Sequence, residues 1–248
     1  SPEFKNELKE RYGEGSNLYK QQVLGEILDV DVASQIIFRN QFPTSKRETD
    51  GIYYFGMDAS GMGADSDMYV VIDKFGMVDY KETLEATVFE KANIVTRMYD
   101  EYKIKGGNID LTGGYGQGCF DFVTTKGYDL GGINFAQKAI QEDKYPNVRT
   151  EMYMELAKAI KDGFWVNDEV KEELLAQSAF INNRGLVALL PKEDVKKILG
   201  HSPDLCDAVA LAVYAMNHGN KEILSDQQAN KLVDEYLIAY YDAEGKTV

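Results

Sequence analysis

The fold is decided by residues 51–84, which read GIYYFGMDASGMGADSDMYVVIDKFGMVDYKETL. Three β-rich segments run from Ile52 to Met57, from Met68 to Asp73 and from Met77 to Leu84. The short connections between them, at 59–67 and 74–76, are typical of strands that pair as antiparallel hairpins. The stretch therefore predicts a three-stranded antiparallel sheet, whose first strand ends at Asp58.

After residue 84 the pattern changes to alternating helices and strands. It predicts a helix over about 90–103, a strand over 108–111, a helix ending near 126 and a strand around 133–135. Helices are then expected over 151–162, 170–177 and 203–217, with a strand or hairpin near 186–190. Together the two halves predict an α/β fold, with one mixed sheet of five or more strands flanked by helices.

The composition bounds the class of protein. A chain of 248 residues with 44% hydrophobic residues and no long apolar run is neither a disordered tail nor a membrane protein. Its two cysteines, Cys119 and Cys206, are too few for a disulfide framework or a zinc ribbon. The net charge of −14 should repel nucleic acid, so the acidity either serves solubility alone or includes carboxylates that bind metal.

Four regions are expected along the chain. Residues 1–4 resemble a cloning remnant, and residues 5–50 are polar and mixed, which is typical of a linker or arm that leads out of an upstream domain. The folded domain is predicted over 51–220. A polar tail over 221–248 is expected to be partly helical near 236–241.

Three acids lie where predicted elements begin or end. Asp58 closes the first strand, and Asp110 lies in a strand whose central position makes an acid unusual. Asp207 precedes nine uncharged residues, 208–216, which predict a helix buried on all sides. Buried carboxylates need a proton or a cation, and carboxylate oxygens favour hard ions such as Mg²⁺ or Mn²⁺.

Two such ions about 4 Å apart can hold the attacking and leaving oxygens of a phosphodiester. The trio on these elements, in this order, suggests the RNase H-like fold. Ser202 and Pro203 are suited to the N-cap and the first helical position, so Asp204 in the first turn has a local explanation in the helix dipole. Asp207 is therefore the expected direct ligand, and Asp204 a helper.

Three motifs resemble a known family. They are Gly56-Met57-Asp58-Ala59-Ser60-Gly61, Asp110-Leu111-Thr112-Gly113-Gly114-Tyr115-Gly116 and Ser202-Pro203-Asp204-Leu205-Cys206-Asp207-Ala208. With the opening segment from Leu8 to Glu26, they resemble the C-terminal nuclease domain of the large terminase subunit of tailed bacteriophages or prophages. The resemblance spans about 8–217, and its third motif is the most specific.

The resemblance implies an endonuclease that cuts concatemeric double-stranded DNA during genome packaging. It implies that Asp58, Asp110 and Asp207 are catalytic and hold Mg²⁺ or Mn²⁺ as two ions, with Asp204, Asp65 and His201 as further metal candidates. It also implies work at the procapsid portal in the host bacterial cytoplasm, with the portal and the small terminase subunit as partners through the full-length protein, and no membrane. This sequence has no Gly-x-x-x-x-Gly-Lys-Ser/Thr loop for a packaging motor.

A basic stretch before the third motif is a candidate DNA contact. It comprises Arg184, Lys192, Lys196 and Lys197, and it is either a phosphate-steering surface or a plain solvated face.

Two other functions fit parts of the pattern. The glycine-rich turn after Asp110 also resembles the phosphate-binding turn of actin-like ATPases and sugar-kinase-like phosphotransferases, although that class needs two such domains. A dinucleotide site at Gly114, Gly116 and Gly118 has the wrong spacing. A non-catalytic module that docks on the portal or capsid is the third hypothesis.

Overall fold

The computed structural model describes residues 35–61 and 66–219. Its main sheet has five strands in the order β3-β2-β1-β4-β5. These strands are β1 (Tyr54–Asp58), β2 (Asp67–Asp73), β3 (Gly76–Thr83), β4 (Gly106–Asp110) and β5 (Gly131–Ile133). Strands β1, β2 and β3 are antiparallel neighbours, whereas β4 pairs in parallel with both β1 and β5. The predicted mixed sheet, three antiparallel strands followed by parallel ones, is confirmed.

Six helices and a small hairpin complete the described part of the chain. The helices are α1 (Val88–Tyr102), α2 (Gln117–Thr125), α3 (Val148–Lys161), α4 (Asp168–Leu175), α5 (Lys192–Leu199) and α6 (Asp204–His218). The hairpin pairs β6 (Ala179–Ile181) with β7 (Val187–Leu189). None of the helices in the described ranges is long and apolar enough to cross a membrane.

The two faces of the sheet carry two cores. Helices α3 and α6 pack on one face, and α1 and α2 cover the other. Twelve consecutive residues of α6, from Asp204 to Ala215, are buried, because this helix lies between the sheet on one side and α3 and α4 on the other. The uncharged run after Asp207 is therefore the buried helix that its composition predicted.

Helix α6 lies directly on strand β1 at Gly56. A Cβ atom at Gly56 would stand 2.0 Å from the carbonyl oxygen of Ala208 and 2.7 Å from the amide nitrogen of Ala212. Both neighbours are backbone atoms, so no side chain can turn away to make room. The absence of a side chain at Gly56 sets how closely α6 approaches the end of the sheet.

We expect Gly56→Ala to destabilise the fold strongly, by about 3 kcal/mol or more, because α6 must move off the sheet. Urea unfolding followed by circular dichroism measures the change. Gly118→Ala is the matched control, because Gly118 lies in α2 and its added methyl would meet only the side chain of Val88, which is 42% exposed, at 3.2 Å. Equal stabilities of the Gly56→Ala variant and the parent would contradict the proposed contact.

Two parts of the chain differ from the sequence prediction. The stretch before residue 51 was expected to be a linker outside the core, yet Ile36, Ile37 and Phe42 are buried in the core that also contains residues of α3 and α6. In the sequence these three residues are flanked by polar residues, so their short apolar pattern does not predict a buried segment. Helix α5 was not predicted, because its sequence, KEDVKKIL, buries Val195 alone and otherwise resembles a charged surface stretch.

Candidate active site

Two acids come together at one edge of the sheet. Asp58 is the last residue of β1 and Asp110 the last residue of β4. These strands are parallel neighbours in which Met57 pairs with Ile109, so their final residues lie side by side. Both side chains are buried, and the charge of Asp110 contributes to raising the pKa of Asp58. The Asp110 carboxylate also accepts a hydrogen bond from the amide of Thr112, at 2.7 Å, which fixes the start of the following turn.

Helix α6 brings two more acids to the same place. Asp204 is its first residue, and Asp207 lies one turn further along. Oxygen atoms of Asp58, Asp204 and Asp207 all lie within 4.8 Å of one another, and all three residues are buried. Asp110 adjoins this trio through Asp58. The structure thus brings together the three acids expected to be catalytic, and it places Asp204 among the closest.

A lysine ammonium lies among these carboxylates. The Nζ atom of Lys192, from α5, is 2.7 Å from Asp207, 3.1 Å from Asp204 and 3.3 Å from Asp58. Burial alone would lower the pKa of Lys192, but the surrounding carboxylates outweigh it and raise the pKa. Lys192 is therefore charged. The sequence left Lys192 as either a phosphate-steering or a solvated residue, and the structure places it in contact with the acids.

The cluster has more negative charge than Lys192 neutralises. Burial, together with the charges of Asp207, Asp110 and Asp204, raises the pKa of Asp58 well above its ordinary value, although Lys192 opposes the shift. At Asp207 burial also acts to raise the pKa, but Lys192 and Arg149 outweigh it and the pKa is lowered. Asp207 is thus held ionised, whereas Asp58 retains a proton more readily unless a further cation arrives.

Two side chains of helix α3 contact Asp207. The hydroxyl of Tyr153 donates a hydrogen bond to Asp207 Oδ1 at 2.5 Å, and Arg149 Nε lies 3.8 Å from the same oxygen. The Arg149 guanidinium stacks over the Tyr153 ring, 4.8 Å from its centre, and donates to the carbonyl of Leu190. Neither side chain was predicted from the sequence, because nothing in a helical stretch shows which distant acid it will meet.

The start of α6 is fixed by a carboxylate from another helix. Ser202 was expected to cap this helix, but the N-cap is Pro203, which forms no side-chain cap. Instead Glu173, from α4, accepts a hydrogen bond from the amide of Cys206 at 2.7 Å. Asp204 lies in the first turn of this helix, as expected, but it is also buried and paired with Lys192.

Glu173 is predicted to make the stability of the protein depend on pH. Burial raises its pKa from 4.5 to about 8, so the folded chain keeps a proton that the unfolded chain loses. The contribution is present at low pH and lost as the pH rises through about 8. We expect the unfolding free energy to fall between pH 5 and 8, by up to about 1.4 kcal/mol per pH unit.

Urea unfolding at several pH values tests this. Glu173→Gln keeps an oxygen for the Cys206 amide but has no proton to lose, so its stability should be flatter over that range and higher at pH 8. Glu172→Gln is the matched control, because Glu172 is exposed and its hydrogen bond with Arg39 lowers its pKa. Identical slopes for the Glu173→Gln variant and the parent would show that Glu173 ionises normally.

Of the remaining predicted site residues, His201, Arg184 and Lys197 face solvent or pair with other residues. His201 is exposed, and its ring nitrogen Nδ1 faces the carbonyl of Ser202 at 2.8 Å. Arg184 is exposed in the β6–β7 turn, and Lys197 pairs with Asp194 at 2.7 Å, while Lys196 lies on the same helix α5. Asp65 falls outside the described residues.

Asp67, which the sequence places in the connection over 59–67, is a buried strand residue instead. It is the first residue of β2, is fully buried and pairs with Lys91 at 2.6 Å. Its Oδ1 also accepts a hydrogen bond from the amide of Ser60. Lys91 in turn donates to the carbonyl of Ser60 at 2.8 Å. The pair therefore fixes the loop that follows Asp58.

Comparison with known proteins identifies the architecture. No protein-family model matches the chain, and no curated protein does. Among solved structures, the nuclease domain of the large terminase subunit gp2 of bacterial virus Sf6 is similar, with a TM-score of 0.60 and 19% identity over 72% of this chain and 98% of that one. A mutant form of that domain with manganese and beta-thujaplicinol gives a TM-score of 0.61, with 19% identity and the same coverage.

The large terminase nuclease of the thermophilic phage G20c, with bound magnesium, has a TM-score of 0.51 and 17% identity over 73% of this chain and 97% of that one. At these identities the similarity is one of fold. The chain therefore has the RNase H-like fold of the phage terminase nuclease domains, the fold that its order of acids and elements predicted.

Proposed function

We propose that this chain is the nuclease domain of a phage or prophage large terminase subunit, and that it cuts double-stranded DNA by metal-dependent hydrolysis of phosphodiester bonds. The observation that carries the proposal is the group of three buried carboxylates, Asp58, Asp204 and Asp207, within 4.8 Å of one another. A structural ion-pair network would match their charge, whereas here the Lys192 ammonium and the Arg149 guanidinium face four acids once Asp110 is included.

The donor atoms fit a hard divalent ion. All three side chains offer carboxylate oxygens, which Mg²⁺ and Mn²⁺ prefer, and Lys192 already places a cation among them. Asp58, Asp204 and Asp207 would hold one ion, and Asp110, next to Asp58, would contribute to a second. Such ions supply an activated water molecule and neutralise the charge that develops on the phosphate.

The chain's own residues hold this donor set in place. Tyr153 orients one oxygen of Asp207, and Arg149 helps to keep that carboxylate ionised. Glu173 holds the first turn of α6, and therefore the spacing between Asp204 and Asp207. Because the sheet edge and the helix are fixed independently, the acids are positioned before any ion binds, which lowers the cost of assembling the site.

The wider role follows from the same proposal. The substrate would be concatemeric DNA, cut at the procapsid portal in the host bacterial cytoplasm while the portal and the small terminase subunit engage the full-length protein. Residues 51–220, together with the buried segment at 36–42, would form the nuclease unit. The expected arm before residue 35 and the expected tail over 221–248 lie outside the described residues.

Plasmid cleavage tests the proposal. Supercoiled plasmid incubated with the purified chain should become nicked, then linear, in Mn²⁺ or Mg²⁺, and should stay intact in EDTA. The products should carry a 3′-hydroxyl and a 5′-phosphate, which ligation and end-labelling report. Intact plasmid across a full series of both ions would contradict catalysis by this chain, and stabilisation by ATP in the absence of these ions would favour a phosphotransferase.

A further inference from the structure

An exposed aromatic ring lies between the two loops that leave the acid-bearing strands. Tyr115 is 57% exposed and follows the glycine turn after Asp110. A Cβ atom at Gly61 would stand 2.6 Å from its ring, and one at Gly113 would stand 3.0 Å from it. The ring therefore rests on the backbone of both loops, in a space that exists because neither residue has a side chain.

Buried contacts hold both sides of the space that this ring occupies. The loop after Asp58 is held by the buried pair of Asp67 and Lys91, which bind the amide and the carbonyl of Ser60, next to Gly61. On the other side, a Cβ atom at Gly116 would stand 2.0 Å from the carbonyl oxygen of Asp110, so the turn that carries Tyr115 is closed tightly onto β4. An exposed aromatic side chain is ordinary, but one fixed on both loops of a candidate active site has a defined position.

The ring is within reach of the nucleotides next to the bond that is cut. Gly61 follows Asp58 by three residues, and Gly113 follows Asp110 by three residues. Three residues span at most about 11 Å, and each strand of B-DNA advances about 3.4 Å per nucleotide. Tyr115 therefore lies within about three nucleotides of a phosphate bound at the acids.

We propose that Tyr115 is a substrate-positioning residue, whose exposed ring packs against the base or deoxyribose of a nucleotide beside the cleaved phosphate. This inference rests on the proposed nuclease function. Its chemistry suits a strongly acidic chain, because an aromatic ring holds a nucleotide without a positive charge and without reading its sequence. The contact would offset part of the repulsion between the acidic surface and the DNA backbone.

The test compares Tyr115→Ala and Tyr115→Phe, each in the parent and in the Asp58→Asn chain. Fluorescence anisotropy in Mg²⁺ with the Asp58→Asn chains measures binding of a labelled 20-nucleotide single strand and of its duplex. Cleavage of the same substrates by the parent chains gives kcat and KM. Tyr80→Ala is the control, because Tyr80 is a 45% exposed tyrosine on the outer strand β3.

We expect Tyr115→Ala to weaken binding and raise KM about tenfold, with kcat within about twofold, while Tyr115→Phe and Tyr80→Ala match the parent. Gly61→Ala, which displaces the ring, should reproduce the loss and add nothing to Tyr115→Ala. A loss confined to the single strand assigns the contact to the base, and an equal loss on both substrates assigns it to the sugar. Unchanged binding and KM in folded Tyr115→Ala, checked by its melting temperature, would overturn the inference.

A failure of the nuclease proposal can be distinguished from a failure of the proposed Tyr115 contact. A parent chain that binds DNA through Tyr115 but never cuts it contradicts the nuclease proposal and keeps the contact. A parent chain that cuts DNA with the same KM as its Tyr115→Ala variant keeps the nuclease proposal and overturns the contact. A chain that neither binds nor cuts DNA overturns both.

Discussion

Asp58→Asn is expected to abolish metal-dependent cleavage of DNA while the fold is retained. Asp58 lies within 4.8 Å of Asp204 and Asp207, and it also adjoins Asp110. It is therefore the acid that links the two proposed ion sites. The amide has nearly the same shape as the carboxylate but carries no charge, so it is a poor ligand for a hard divalent ion. We expect a loss of at least about a thousandfold in the cleavage rate, since ion binding and catalysis fail together.

Although Asp58→Asn is expected to lose its activity, its stability in the absence of metal should not fall. The raised pKa of Asp58, caused first by burial and then by its acidic neighbours, means that its ionised form destabilises the folded chain. The stability that goes with the bound proton is lost as the pH rises, and Asn removes this loss. At pH 8 in EDTA, Asp58→Asn should therefore melt at the same temperature as the parent or higher.

Plasmid nicking in a Mn²⁺ series measures the first effect, and thermal unfolding in EDTA the second. Glu101→Gln is the control, because Glu101 is an exposed acid on α1, away from the cluster. This substitution should change neither the nicking rate nor the melting temperature. An active Asp58→Asn enzyme would remove Asp58 from the metal ligands. A metal-free variant that melts well below the parent would show that the clustered carboxylates do not repel one another.

The sheet and three acids of the candidate site could be predicted, because the sequence patterns that indicate them are local. Strands β2 and β3 are continuous β-rich runs joined by a short turn, and Asp58 and Asp110 stand at the ends of such runs. Asp207 was found because the uncharged helix after it leaves it no local partner. In each case the informative residues lie within about ten positions of one another, which is the range over which a sequence pattern reports secondary structure.

The rest of the site depends on contacts between distant parts of the chain. Lys192 meets Asp58 across 134 positions of sequence, and Glu173 meets Cys206 across 33. No pattern near Lys192 distinguishes it from the surface lysines of the same helix, and Asp204 had an adequate local explanation that the fold overrides. Such residues are identified only when the packing of α5 and α4 against α6 is known.

Lys192→Ala is expected to strengthen the binding of a divalent ion. Its ammonium lies within 3.3 Å of all three clustered acids, where the donor oxygens would also face a divalent ion. Because a lysine and a metal ion cannot share that space, an incoming ion must displace the side chain and give up the stabilisation that its ion pairs provide. Removing the ammonium removes this competition.

We expect two opposite shifts in the Lys192→Ala protein. In EDTA it should lose about 2 kcal/mol of stability, less than a fully buried pair would lose, because the Lys192 side chain is 32% exposed. In Mn²⁺ it should bind the ion at least about tenfold more tightly than the parent, so its melting temperature should rise more steeply with ion concentration.

Calorimetric titration with Mn²⁺ and thermal unfolding in EDTA measure the two shifts. Lys197→Ala is the matched control, because Lys197 lies on the same helix and pairs with Asp194 at the surface. Cleavage by Lys192→Ala should then reach half of its maximum at a lower Mn²⁺ concentration than cleavage by the parent. If instead the ion binds no more tightly without the ammonium, Lys192 does not compete for the site, and the divalent ion is held elsewhere than among Asp58, Asp204 and Asp207.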